Sequence, residues 1–103
     1  MNTSHDDIQM ITEQDFKNGT LLRPGKNLIY FFRKSNPDND KLLEELRHLS
    51  LRVNILMMDI DESPHTPLHF AVTELPFYVL VADGSTIYSW AGKGQASAIE
   101  KSL

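Results

Sequence analysis

The side chains best suited to chemistry in this chain fall in two stretches. His65 and His69 stand four apart, so a helix through them would place both imidazoles on one face, with Asp59, Asp61 and Glu62 just upstream as oxygen donors. That pattern suits a metal, but Pro64 and Pro67 interrupt the segment, and two solvated histidines on a short surface helix are the simpler reading. Ser35 follows an apolar run and, with a histidine and an aspartate, would complete a hydrolytic triad. Neither a nucleophile elbow nor an oxyanion glycine accompanies it. Gly92-Lys93-Gly94 lacks the long helix and further glycines of a phosphate loop. Cysteine is absent from all 103 residues, which removes thiol nucleophiles, disulfides and thiolate ligands together.

Composition narrows the classes further. The chain is 41% hydrophobic and 23% charged, values ordinary for a globular protein. Its length suits one domain that buries roughly two-thirds of its unfolded surface and needs no staple. The net charge of −4, from 10 basic and 14 acidic residues, argues against nucleic acid and anionic membranes as partners. The opening residues MNTSHDDIQM have no positive n-region or apolar h-region, so a cytoplasmic location is the default expectation. No cofactor is implied, and the oligomeric state is left open.

The elements that must position these residues follow from the apolar pattern. Residues 1–7 read as a flexible tail and residues 8–103 as one domain. Ile8-Gln9-Met10-Ile11 suits a first strand, and Thr12-Glu13-Gln14-Asp15 a capping box opening a short helix to about Asn18-Gly19. Turn chemistry from Leu21 to Gly25 leads into Leu28-Ile29-Tyr30-Phe31-Phe32, an unbroken apolar run expected to be a strand buried on both faces. Ser35-Asn36-Pro37-Asp38-Asn39 breaks it. Leu42, Leu43, Leu46 and Leu49 then mark one face of a helix from Asp38 to Leu51. Asn36 is its expected N-cap with Pro37 at N1, and Ser35 with Asp38 is the competing register. Arg52 to Asp61 reads as a second buried parallel strand, and His65 to Val72 as a helix of about two turns. Leu75 to Val81 begins a strand at Pro76, and Asp83-Gly84 turns it into Thr86 to Ala91. A closing helix follows Gly92 to Gly94. The expected fold is α/β, in the order β-α-β-α-β-α-β-β-α, with a mixed central sheet covered by helices on both faces.

That order and several local motifs resemble the thioredoxin family over nearly the whole chain from Ile8. Leu28 to Phe32 resembles the family's central strand. Asp59-Ile60-Asp61-Glu62-Ser63-Pro64 resembles its N-I-D-x-N-P segment, Val72 to Pro76 its segment ending in a cis-proline, Asp83-Gly84 its hairpin turn, and Gly92 the glycine after its last strand. The resemblance fails where the chemistry would be. Asn36-Pro37-Asp38-Asn39 stands in place of Cys-Gly-Pro-Cys, and Tyr30 and Met57 stand where the family buries an aspartate and a lysine. The resemblance therefore implies a redox-inactive thioredoxin-like protein, not a thiol-disulfide enzyme.

What it leaves open is a groove for a protein partner. In thioredoxin-like domains the residue before the cis-proline offers its backbone to an extended peptide, a mode that needs no cysteine. By resemblance Asn36, Pro37, Leu75, Pro76 and Gly92 would line that groove; the other reading is a fold-defining turn without a ligand. Asn36 to Asn39 reads first as helix capping, with Asp38 and Asp40 complementing the dipole. Tyr88 and Trp90 share one face of an expected edge strand, either as an exposed partner surface or packed under the short third helix, the reading preferred.

Overall fold

The computed structural model describes residues 8–19 and 25–103. The expected tail at 1–7 and most of the turn from Leu21 to Gly25 lie outside the described residues. Strand β1 spans Ile8–Met10, β2 Lys26–Phe32, β3 Asn54–Asp59, β4 Phe77–Ala82 and β5 Ser85–Ala91. Helix α1 spans Glu13–Lys17, α2 Asn39–Arg47, α3 Thr66–His69 and α4 Ala96–Lys101. The sheet order is β1-β3-β2-β4-β5. Strands β1, β3 and β2 are parallel, and β4 and β5 run antiparallel.

Strand β2 lies at the centre because its residues can go nowhere else. Leu28 to Phe32 are all buried, so both faces must be covered and both edges paired. Tyr30 sits opposite Met57 of β3 on one side and Tyr78 of β4 on the other. Side chains alternate from there into two cores. Leu28, Tyr30 and Phe32 join Ile55, Met57, Tyr78 and Leu80 beneath Leu42 and Leu46 of α2 and Ile99 of α4. Ile29 and Phe31 join Leu56, Met58, Phe77 and Val79 beneath Phe16 of α1 and Phe70, Val72 and Leu75. Each fully buried Leu or Ile contributes about 1.5–3 kcal/mol.

The helices are shorter than the apolar pattern suggests. Helix α2 stops at Arg47 and tightens into a 3-10 turn over His48–Leu51, where the Ser50 hydroxyl donates to the Arg47 carbonyl at 2.6 Å. That local bond draws the chain out of the i to i−4 ladder, yet Leu49 still reaches the core. Helix α3 has four residues, because Ala71, just past the C-cap Phe70, takes a left-handed φ of 56°. The capping box of α1 is complete. Thr12 Oγ1 accepts from the Asp15 N–H at 3.3 Å, and Asp15 Oδ2 accepts from the Thr12 N–H at 2.9 Å. Asp83 and Gly84 both take positive φ, 51° and 85°, the geometry that a two-residue hairpin between twisted strands requires.

Among the described residues, one buried side-chain group of the first core, the Tyr30 hydroxyl, has no partner. Tyr30 is stacked between Phe32 and Tyr78, with ring centroids 5.6 and 5.4 Å away, and its hydroxyl makes no hydrogen bond among the described residues. Burial pushes its phenol up to about 12, and burial beside Tyr30 pushes Tyr78 up as well. Tyr30→Phe removes the unpaired hydroxyl and should stabilise the fold by about 1 kcal/mol in urea denaturation. Because the folded pKa lies above the ordinary 10.0, the stability linked to the neutral phenol is full below that pH and is lost as pH rises through about 12. The variant should therefore lose less stability than the parent at high pH. A clear destabilisation by Tyr30→Phe at neutral pH would mean that the hydroxyl is satisfied.

Candidate functional site

The carboxyl end of β2 passes into α2 through a turn built by asparagine side chains. Asn36 Oδ1 accepts from the Asp38 N–H at 2.9 Å, and the Asn36 carbonyl accepts from the Asn39 N–H at 3.3 Å. Asn39 Nδ2 donates to the Arg33 carbonyl at 2.7 Å. The first i to i−4 bond runs from the Leu42 N–H to the Asp38 carbonyl at 2.9 Å. Asp38 is therefore the N-cap, so neither Asn36 nor Ser35 caps the helix and Pro37 is not at N1. The Asx turn competes successfully with the cap because it satisfies the Asp38 N–H before the helix starts. Asp38 caps without a side-chain bond to the helix; its carboxylate contacts Lys93 Nζ instead.

Lys93 belongs to the loop after β5. Gly92 takes φ +89°, which a side chain tolerates poorly, and its N–H donates to the Pro76 carbonyl at 2.8 Å. A Cβ at Gly92 would meet Glu74 Oε2 at 3.8 Å, an ordinary contact, so conformation and not space selects glycine there. Gln95 Nε2 donates to the Ala91 carbonyl at 3.0 Å and fixes the far side of the loop. The Leu75-Pro76 peptide bond is cis. Leu75 is half-buried, and neither its N–H nor its C=O is hydrogen-bonded among the described residues.

The expected groove residues are not all brought together. Leu75 lines an open cleft of about 360 Å³ with Arg33, Ile60, Val72, Thr73 and Glu74. Asn36 and Pro37 line a different one of about 550 Å³, floored by Phe32 and Met57 and walled by Met10 and Leu43. Gly92 is tied to the first region through the Pro76 carbonyl. Trp90 lies elsewhere: it packs half-buried against the core under α2 and α4, with Tyr88 beside it and 55% exposed. The preferred packing under α3 is therefore incorrect, because pairing Trp90 with Tyr78 and Tyr88 with Leu80 puts both on the face opposite α3.

The two histidines are used differently: His65 through its backbone N–H, His69 through its ring. Glu13 Oε1 accepts from the backbone N–H groups of His65 and Thr66, and the His65 N–H holds its carboxyl below the ordinary carboxylate value. The His69 ring packs edge-on to Phe16 and Phe70 at 5.3 and 4.8 Å. Asp61 pairs with Arg33, Glu62 pairs with Lys34, and Asp59 Oδ1 accepts from the Asp61 N–H. Among the described residues no three His, Asp or Glu side chains gather to hold a metal. Ser35 is exposed, and no histidine or carboxylate hydrogen-bonds to it there. The roles of Glu13 and Lys93 carry no signal in the sequence. Glu13 lies 52 positions from His65 and Lys93 lies 55 from Asp38, beyond any local pattern.

The Lys93 ammonium holds the Asp38 carboxyl below its ordinary 3.8. The linked stability is present above that value and is lost as pH falls through the folded pKa. Lys93→Met should move the Asp38 titration, followed by carboxyl NMR, back up toward 3.8. An unmoved midpoint would contradict the contact.

No protein-family model and no curated protein matches the chain. Solved structures do match. Mitochondrial thioredoxin 3 from Saccharomyces cerevisiae superposes with a TM-score of 0.81 at 27% identity, over 98% of this chain and 97% of that one. A single-site mutant of thioredoxin from Halobacterium salinarum gives 0.83 at 18% identity, over 100% and 93%. The thioredoxin of Malassezia sympodialis gives 0.74 at 17% identity, over 92% and 86%. With its five-stranded mixed sheet, this is a thioredoxin-fold chain whose sequence contains no cysteine.

Proposed function

We propose that the chain is a redox-inactive, thioredoxin-like protein-binding module, an adaptor, assembly factor or chaperone-like subunit, that takes an extended segment of its partner by strand addition beside Pro76. The observation that carries this reading is the free backbone of Leu75. An N–H and a C=O left unpaired at the mouth of a cleft supply the two hydrogen bonds that an added strand needs. Thiol exchange has neither a nucleophile nor a resolving group in this sequence. The same reading keeps the module in the cytoplasm with a protein partner, and the net charge of −4 speaks against nucleic acid or an anionic membrane in that role. Among the described residues no helix is long and apolar enough to cross a membrane.

A second reading, a structural subunit held through β5, is favoured by the exposure of Tyr88 beside Trp90. Metal-dependent or hydrolytic activity at His65, His69 or Ser35 draws no support from the side-chain contacts there.

Affinity capture with the chain as bait separates these readings. Leu75→Pro removes the backbone donor and should weaken capture by roughly tenfold, the worth of one or two hydrogen bonds. Leu75→Ala keeps the backbone and should retain it. Capture unaffected by Leu75→Pro in a folded variant but lost with Trp90→Ala would overturn the groove reading in favour of the edge strand.

A further inference from the structure

The sheet ends on β5, which pairs only with β4, so its outer backbone groups have no strand beside them among the described residues. Exposed edges invite pairing with another chain, and proteins blunt them with charge, proline or short length. The opposite edge is blunted by length, since β1 has three residues. Strand β5 has seven, and no charged residue or proline occurs from Gly84 to Gly92, although 23% of the chain is charged. Ile87 and Tyr88 are 45% and 55% exposed on it.

Charge returns only at the two ends, and with opposite sign. Asp83 precedes the strand and Lys93 follows it, at equal distances along the chain from Tyr88. The Asp83 carboxylate has no ion-pair partner among the described residues, and Lys93 Nζ touches Asp38 from an exposed position. Antiparallel pairing of two identical strands is two-fold symmetric. An axis at Tyr88 brings Asp83 of each copy to the partner's Lys93 at both ends, whereas parallel pairing would set like charges together. The strand is thus complementary in charge to itself, and in one direction only.

We propose that β5 is a self-association edge: a second copy of this chain pairs with it antiparallel about Tyr88, with an Asp83–Lys93 ion pair at each end. The bulge between Leu80 and Val81, which gives β5 one residue more than β4 at Ile87, bends the edge and limits the regular pairing. The dimer is therefore weak and depends on concentration. The end of β5 does adjoin the Leu75 groove, since the Gly92 N–H donates to the Pro76 carbonyl, but this inference does not rest on the groove: its test reads self-association and not capture of a partner segment.

Sedimentation velocity of the full chain at low salt, from about 1 μM to about 1 mM, tests it over the range where small interfaces associate. The parent should pass from monomer to dimer. Asp83→Lys and Lys93→Asp should each weaken the dimer about tenfold, by setting like charges together at both ends. An equimolar mixture of the two should recover it, because every end of the mixed pair again joins opposite signs. Since Asp83 has a positive φ that lysine tolerates less well, Tyr88→Lys serves as a second variant: it puts like charges at the axis and should also abolish dimerisation. A parent monomeric throughout, a dimer that survives Tyr88→Lys, or folded charge variants that do not recover on mixing would each overturn the proposal.

Discussion

Everything in this domain depends on burying both faces of β2. Leu28 to Phe32 are all withdrawn from water, and a strand with two buried faces also needs partners for the N–H and C=O groups on both edges. Strand β3 meets that need on one side in parallel and β4 on the other in antiparallel register. The parallel neighbour requires a crossover, which α2 provides while covering the first core. The antiparallel neighbour needs the Pro76 loop to arrive from the second core. The carboxyl end of β2, the α2 start and the Pro76 loop therefore meet at one end of the sheet as a result of burial, before any chemistry is considered.

At that meeting point the chain has placed groups that satisfy one another. Asparagine side chains close the turn, Asp38 joins Lys93, and the acids after β3 pair with Arg33 and Lys34. Exposed pairs of this kind stabilise little. Asp38 and Lys93 balance each other's charge at the start of α2. Behind them the core is apolar and aromatic: Tyr30 lies opposite Met57, with its phenol held neutral. Among the described residues the Leu75 backbone at this end stays unpaired, open to a cleft and free of the sheet.

The fold is legible in the sequence because periodicity and burial are local. The unbroken run Leu28 to Phe32, the Asp83-Gly84 turn and the capping box at Thr12 each bear their own signal. The α2 start is not, because two local patterns compete there: Asn36-Pro37 fits cap preferences, but the Asx bond to the Asp38 N–H takes precedence and pushes the helix back. The face of Trp90 is equally hidden, because alternation shows which residues share a face but not which helix covers it; that depends on the register with β4. The separation of Asn36 and Pro37 from Leu75 into two clefts, and the tie from Lys93 to Asp38, arise only in three dimensions.

The fold is that of thioredoxin, and thiol–disulfide exchange has no cysteine here to run on. Turbidity-monitored reduction of insulin by dithiothreitol, with and without the purified chain, tests it most directly. Identical rates are expected at every concentration of the chain, because no thiolate is present to attack a disulfide. Acceleration that scales with the chain's concentration would contradict it.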